Sequence, residues 1–171
     1  FQGASLAVTK TWDRLTLTSS TGIVRHSLSE VFDASGFQGT PGTLVYQDQN
    51  AIHLLTHETR LSHNSEDGGS WVAGLSYVHN SDRVQQTLGP PGAPAMLTQL
   101  RNAKVEIALF GEATRPISQR WFATLGSRFA YADTIGELLG AVGPDFEPRR
   151  KQLRILPTAA LSWKARPDLL A

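Results

Sequence analysis

The sequence predicts an all-β protein: an antiparallel meander of 7–8 long strands, part of a transmembrane β-barrel and an open curved sheet if isolated. Three observations predict it. Apolar and polar residues alternate, or nearly so, in runs of about ten residues, and few windows carry a helical period. Turn-forming residues separate the runs, in connections that alternate short and long. The four Trp all stand beside a short connection, at the same end of their strands.

The first strand reads from Ala4 to Trp12, with Leu6, Val8 and Trp12 on one parity, and Asp13-Arg14 makes a tight turn. The second runs from Leu15 to about Val31 and is followed by a Gly-rich loop from Asp33 to Leu44. The third runs from about Gln47 to His63, and Asn64 to Gly69 turns the chain. The fourth, Trp71 to about Leu88, carries Trp71, Ala73, Leu75 and Tyr77 on one face; a second long loop holds Gly89 to Pro94. In the fifth, Lys104 to Thr114, Val105, Ile107, Leu109 and Ala113 face one way and Lys104, Glu106 and Glu112 the other. After a short turn from Arg115 to Gln119, the sixth runs from Trp121 to about Thr134. Trp121, Leu125, Phe129 and Tyr131 oppose Arg128 in it. A third long loop spans Gly140 to Arg150, and the seventh strand runs from Leu153 to Trp163. Ala165-Arg166-Pro167-Asp168 then turns the chain into an eighth strand.

Several strands exceed the ~5–6 residues usual in soluble sheets. Spanning strands of ~9–11 residues, short periplasmic turns and longer external loops are the pattern of outer-membrane barrels. Hydrocarbon offers no hydrogen-bond partner, so a sheet in lipid pairs every backbone group and closes on itself. Trp12, Trp71, Trp121 and Trp163 suit an interfacial girdle, where an indole presents an apolar body and a wet N–H.

Composition excludes other classes. The chain has 171 residues, no Cys and a formal net charge of +1. Hydrophobic residues make up 40% and charged residues 18%, which argues against a disordered chain. No window holds the ~20 apolar residues of a spanning helix. Without Cys there is neither a disulfide framework nor a thiolate metal site. The near-neutral charge supplies no field for nucleic acid. The chain begins at Phe1 with neither an initiator Met nor a leader, and it ends at Leu169-Leu170-Ala171 as an apolar run begins. It is therefore read as an internal piece, truncated at both ends.

An ordered set of short motifs resembles the mid-barrel strands of TonB-dependent receptors. They are Leu17-Thr18-Ser19-Ser20-Thr21-Gly22-Ile23, Glu58-Thr59-Arg60-Leu61-Ser62 and Trp71-Val72-Ala73-Gly74-Leu75-Ser76-Tyr77. Ala108 to Glu112, Gly126-Ser127-Arg128-Phe129 and Pro157 to Trp163 complete it, so the resemblance covers nearly the whole chain. It implies a barrel of about 22 strands filled by an N-terminal plug. Such a receptor lies in the outer membrane of a Gram-negative bacterium and imports a scarce nutrient such as a ferric siderophore. The proton gradient drives import through the TonB complex. The implied partners are outer-membrane lipid, TonB through the plug, and the imported small molecule. Residues 1–171 would form part of the barrel, with the plug and the C-terminal strands absent.

The chemistry that the sequence tempts a reader to see is weak, and no enzyme activity, cofactor, metal or catalytic residue is assigned. His53 and His57 share a strand face but stand about 13 Å apart at strand rise, too far for one ion at ~2 Å per ligand. His26-Ser27 with Glu30 suggests a hydrolase triad, yet adjacent strand residues point to opposite faces. Glu58, Arg60 and Ser62 read as a polar ladder on an interior wall, as does Arg128. The Gly clusters lack the Lys-Ser/Thr ending of a phosphate loop. Tyr46, Phe37 and Phe146 lie in or beside long loops and stay unassigned, so substrate-binding residues are unknown.

Two alternatives remain: a complete small eight-stranded outer-membrane barrel with a structural or adhesive role, and a soluble β-barrel binding a small apolar ligand. Parity places Val105, Ile107, Leu109, Leu125, Phe129 and Leu161 toward lipid, and Glu58, Arg60, Glu106, Glu112 and Arg128 toward the interior. Those five charges would crowd inside eight strands, whereas a wide lumen solvates them. The first and last strands are expected to stay unpaired, with edges prone to aggregation.

Overall fold

Among the described residues, consecutive strands pair with their sequence neighbours, so seven antiparallel strands lie in one sheet in the order β1-β2-β3-β4-β5-β6-β7. They are β1 (Gln2–Trp12), β2 (Leu15–Asp33), β3 (Val45–Asn64), β4 (Ser70–Gly89), β5 (Ala95–Pro116), β6 (Trp121–Gly140) and β7 (Arg149–Trp163). This is a computed structural model, and it describes residues 1–36, 39, 42–140 and 148–164. The turn at Ala165–Asp168, the expected eighth strand, Phe37 and Phe146 lie outside the described residues.

The tight turns form for local reasons. Asp13 takes a φ of 52°, the left-handed region that a two-residue hairpin turn requires, and Trp12 pairs with Leu15 across it. Between β3 and β4, Ser65 N–H donates to the Gly69 carbonyl (2.8 Å) and Gly68 N–H to that of Ser65 (3.2 Å). The Asp67 carboxylate accepts from Gly69 N–H at 3.0 Å, and this bond, followed by one to the Ser65 side chain, holds its carboxyl below the ordinary range. Arg14 forms an ion pair with Glu66, tying the two neighbouring turns together.

Two boundaries differ most from the sequence reading. The fifth strand begins at Ala95, not near Lys104, and the sixth continues past Thr134 to Gly140. As a result the connection after β4 is only Pro90 to Pro94, a short turn and not a long loop. The cause is that the stretch from Ala95 to Asn102 mixes polar and apolar residues on both parities, which hides the strand period. Pairing also slips there: Gln86 faces Thr98 while Thr87 faces Met96, leaving Leu97 as the extra residue of a β-bulge. Beyond the bulge, alternation changes phase.

The sheet is one layer thick and has almost no core. Among the described residues the buried apolar side chains are Ala108, Ala130 and Ala132 alone, with Ser76 the one buried polar residue. Leu109, Leu125 and Leu161 are each at least 60% exposed. A soluble sandwich or ligand-binding barrel would bury such residues, so the soluble alternative does not fit. Strands β1 and β7 are not paired, so the described residues do not close as a small complete barrel either.

Candidate functional site

The strand register sorts the side chains into two faces of opposite character. One carries Trp12, Leu15, His63, Trp71, Ala113, Leu125 and Ala159 as a continuous cross-strand row. Along the strands it also holds Leu6, Val8, Leu75, Ile107, Leu109, Phe129, Ile155 and Leu161. All four Trp lie on it: His63 stacks on Trp71 with centroids 6.1 Å apart, and Trp121 meets Trp163 at 6.3 Å. The six residues predicted to face lipid all stand on this apolar face.

A fixed spacing bounds the apolar band. Twelve residues separate Trp71 from Arg83, Trp121 from Asp133 and Trp163 from Lys151, all on this face. At ~3.3 Å per residue and a tilt near 40°, that spans roughly 30 Å, the thickness of a bilayer core. One polar island interrupts the band. Ser19 and Thr59 hydroxyls bond at 3.0 Å, Thr59 bonds His57 Nε2 at 3.1 Å, and His57 Nδ1 bonds the Thr21 hydroxyl at 2.8 Å. The chain of bonds satisfies groups that hydrocarbon would leave unpaired. Sequence parity alone does not reveal it, because it requires the β2–β3 register.

The opposite face is a polar wall. Arg128 on β6 reaches across β5 to donate to Ser76 Oγ on β4 (3.0 Å) and to Glu106 (3.2 Å). Lys104 Nζ lies 2.9 Å from the same carboxylate, and the Phe110 ring sits 5.9 Å from the Arg128 guanidinium. Small residues make room for these long side chains. Gly74 is opposite Phe110, and a Cβ there would meet its ring at 2.5 Å. Ser76, Ala108 and Ala130 form the adjacent row. Glu58 and Arg60 share this face and lie 3.8 Å apart, and Glu112 joins them. All five charges predicted to face inward are therefore on one wall. Farther up, Gln86 Nε2 donates to Asp48 (3.1 Å) and Asn102 Nδ2 to Asp82 (3.2 Å).

The tempting chemistry is dispersed. His26 is on the polar wall and Ser27 on the apolar face, so no triad assembles there. His53 and His57 share the apolar face. Among the described residues no three His, Asp or Glu gather as metal ligands. Tyr46 opens β3 on the polar wall, with its ring 6.1 Å from Phe32 and its hydroxyl 3.5 Å from Asp48.

A single antiparallel sheet with one apolar and one polar face is the wall of a transmembrane barrel. The family model described as TonB dependent receptor-like, beta-barrel matches residues 2–171. The chain belongs to the TonB-dependent receptor β-barrel family. Among solved structures it is similar to the ferric yersiniabactin uptake receptor FyuA of Yersinia pestis: 14% identity, TM-score 0.77, 97% of this chain and 26% of that one. The unliganded ferric citrate transporter FecA gives 14% identity, TM-score 0.72, and 96% and 25% coverage. The ferric preacinetobactin receptor BauA of Acinetobacter baumannii gives 15%, 0.64, and 96% and 28%. The chain thus spans about a quarter of these receptors' length. No curated protein sequence matches it.

Proposed function

We propose that this chain is a wall segment of an outer-membrane TonB-dependent receptor that imports a scarce nutrient, a ferric siderophore being the leading class. The apolar band carries the reading: a Trp row at one end, charges twelve residues away at the other, and a polar wall behind. In this arrangement the apolar face meets lipid, the Trp row lies at the periplasmic interface, and the charged rim lies at the cell surface. The polar wall then faces the lumen, where water or a plug solvates Glu58, Arg60, Glu106, Glu112 and Arg128. The wall's work is binding and passage, not catalysis. Residues 1–171 belong to the barrel, and contact with TonB falls to a plug outside them. The siderophore class is supported by the likeness to FyuA, FecA and BauA, which take up or bind ferric yersiniabactin, ferric citrate and ferric preacinetobactin.

The test uses the full-length receptor in a Gram-negative strain lacking its own siderophore receptors. The expected result is outer-membrane fractionation and TonB-dependent uptake of radiolabelled iron from at least one ferric siderophore. Uptake of cobalamin or an oligosaccharide without iron uptake would overturn the substrate class. A receptor found in the soluble fraction would overturn the reading as a whole.

A further inference from the structure

We propose that the polar island on β2 and β3 is a self-association surface, through which two copies of the receptor pair side by side in the membrane. The proposal rests on the outer-membrane reading above, because only hydrocarbon makes an uncovered polar group costly there. The island lies inside the apolar band. His57 stands six residues from His63, which faces Trp71 in the Trp row, and four from His53, which faces Arg25 toward the other end. Val8, Leu17, Ile23, Leu55, Leu61 and Leu75 surround it on the same face.

Counting protons shows what the island lacks. A neutral imidazole carries one N–H and each hydroxyl one O–H, so Ser19, Thr59, His57 and Thr21 hold four donors. Three hydrogen bonds join them in line: Ser19 with Thr59, Thr59 with His57 Nε2, and His57 Nδ1 with Thr21. Each bond uses one donor, so one O–H is always left over. It sits at Thr21 or at Ser19, according to the direction in which the chain donates, and the opposite end keeps an unused lone pair. Among the described residues neither end makes a further side-chain hydrogen bond. A second copy has the matching defect. Two barrels in one membrane point the same way, so a twofold axis along the membrane normal sets each end of the chain level with its own symmetry mate. When the chain donates toward Thr21 in one copy and toward Ser19 in the other, each spare O–H meets an unused lone pair at its own level. Two hydrogen bonds then close across the interface. Acyl chains offer no such acceptor, whereas Ser, Thr and His side chains set in apolar packing join elements within a bilayer by bonds of this kind.

The experiment is disulfide cross-linking of the full-length receptor, in a cysteine-free background, in native outer membranes. L17C and L55C flank the island, and L161C, on the same face at least four strands away, reports random encounters. Copper phenanthroline forms the bond, mass identifies the product, and heat-modifiable gel mobility reads the folding of each variant. The expected result is a product of twice the receptor mass at L17C and L55C, with about tenfold less at L161C. Making the island apolar with S19A/T21V/H57L/T59V should lower the yield at L17C and L55C about tenfold as well. If that variant does not fold, S19A/T21V removes only the end hydroxyls, and the same loss is expected. Equal yields at all three positions, or yields unchanged by the substitutions, overturn the proposal. A product of another mass assigns the island to a different membrane protein and also overturns it. So does an absence of cross-linking in receptor that fractionates with the outer membrane, which leaves the membrane reading intact. Failure of that reading is seen instead as wild-type receptor in the soluble fraction.

Discussion

On β5, Leu109 and Glu106 stand three residues apart and meet opposite environments. Leu109 lies in a row with Leu75 and Phe129, has no polar neighbour across the strands and is 60% exposed. Glu106 is bound by Lys104 and Arg128 on a wall of small residues. In a soluble protein the first face would be the core and the second the surface. Here both faces are open, and the apolar one is stabilised only where hydrocarbon replaces water. The fold is therefore specified by its solvent: the same alternation in water would leave a single layer without hydrophobic stabilisation.

The sharpest way to break this comparison is a charge on the apolar face. Leu109→Arg should cost about 2–4 kcal/mol near the bilayer midplane, read as a shift in the denaturation midpoint of the full-length receptor refolded into vesicles. Glu112→Arg, on the polar wall, should change stability by well under 1 kcal/mol. Equal costs would mean that the two faces share one environment. Next in size is a change that overfills the polar wall. Gly74→Val places methyls where the Phe110 ring lies and should cost about 1–3 kcal/mol, while Gly111→Val, whose Cβ site is open to 3.5 Å, should be milder in the same assay.

A smaller effect tests the island within the band. His57→Leu leaves the Thr21 hydroxyl without its partner in hydrocarbon and should cost about 0.6–1.7 kcal/mol. A gain in stability would indicate that the island is wet. The smallest effect lies in the β3–β4 turn. The lowered Asp67 pKa makes its contribution present above the ordinary carboxylate pKa and lost as pH falls through the folded value. The Gly69 amide resonance should accordingly titrate with a midpoint below 3.8, and a midpoint at or above that value would remove the hydrogen bond from the account.

How much of this was legible in sequence follows from the same physics. Between Lys104 and Thr114 one face meets lipid and the other the lumen, so charges and aliphatics alternate and the strand can be read directly. Between Ala95 and Asn102 each face mixes polar and apolar residues and a bulge changes the phase, so the period vanishes although the pairing continues. The inward charges were visible as parity. The reach of Arg128 to Ser76 was not, because it spans three strands and depends on two registers.

The central claim, that odd and even positions of β5 face different media, is tested most directly by single-cysteine labelling. The chain has no native Cys to interfere. Cysteine is placed in turn at positions 104 to 113 of the full-length receptor, and folded protein in vesicles is exposed to a water-soluble maleimide. The account predicts labelling at Lys104, Glu106 and Glu112 and protection at Val105, Ile107, Leu109 and Ala113, a period of two maintained along the strand. Uniform labelling, or protection of the even positions with reaction at the odd ones, would contradict it.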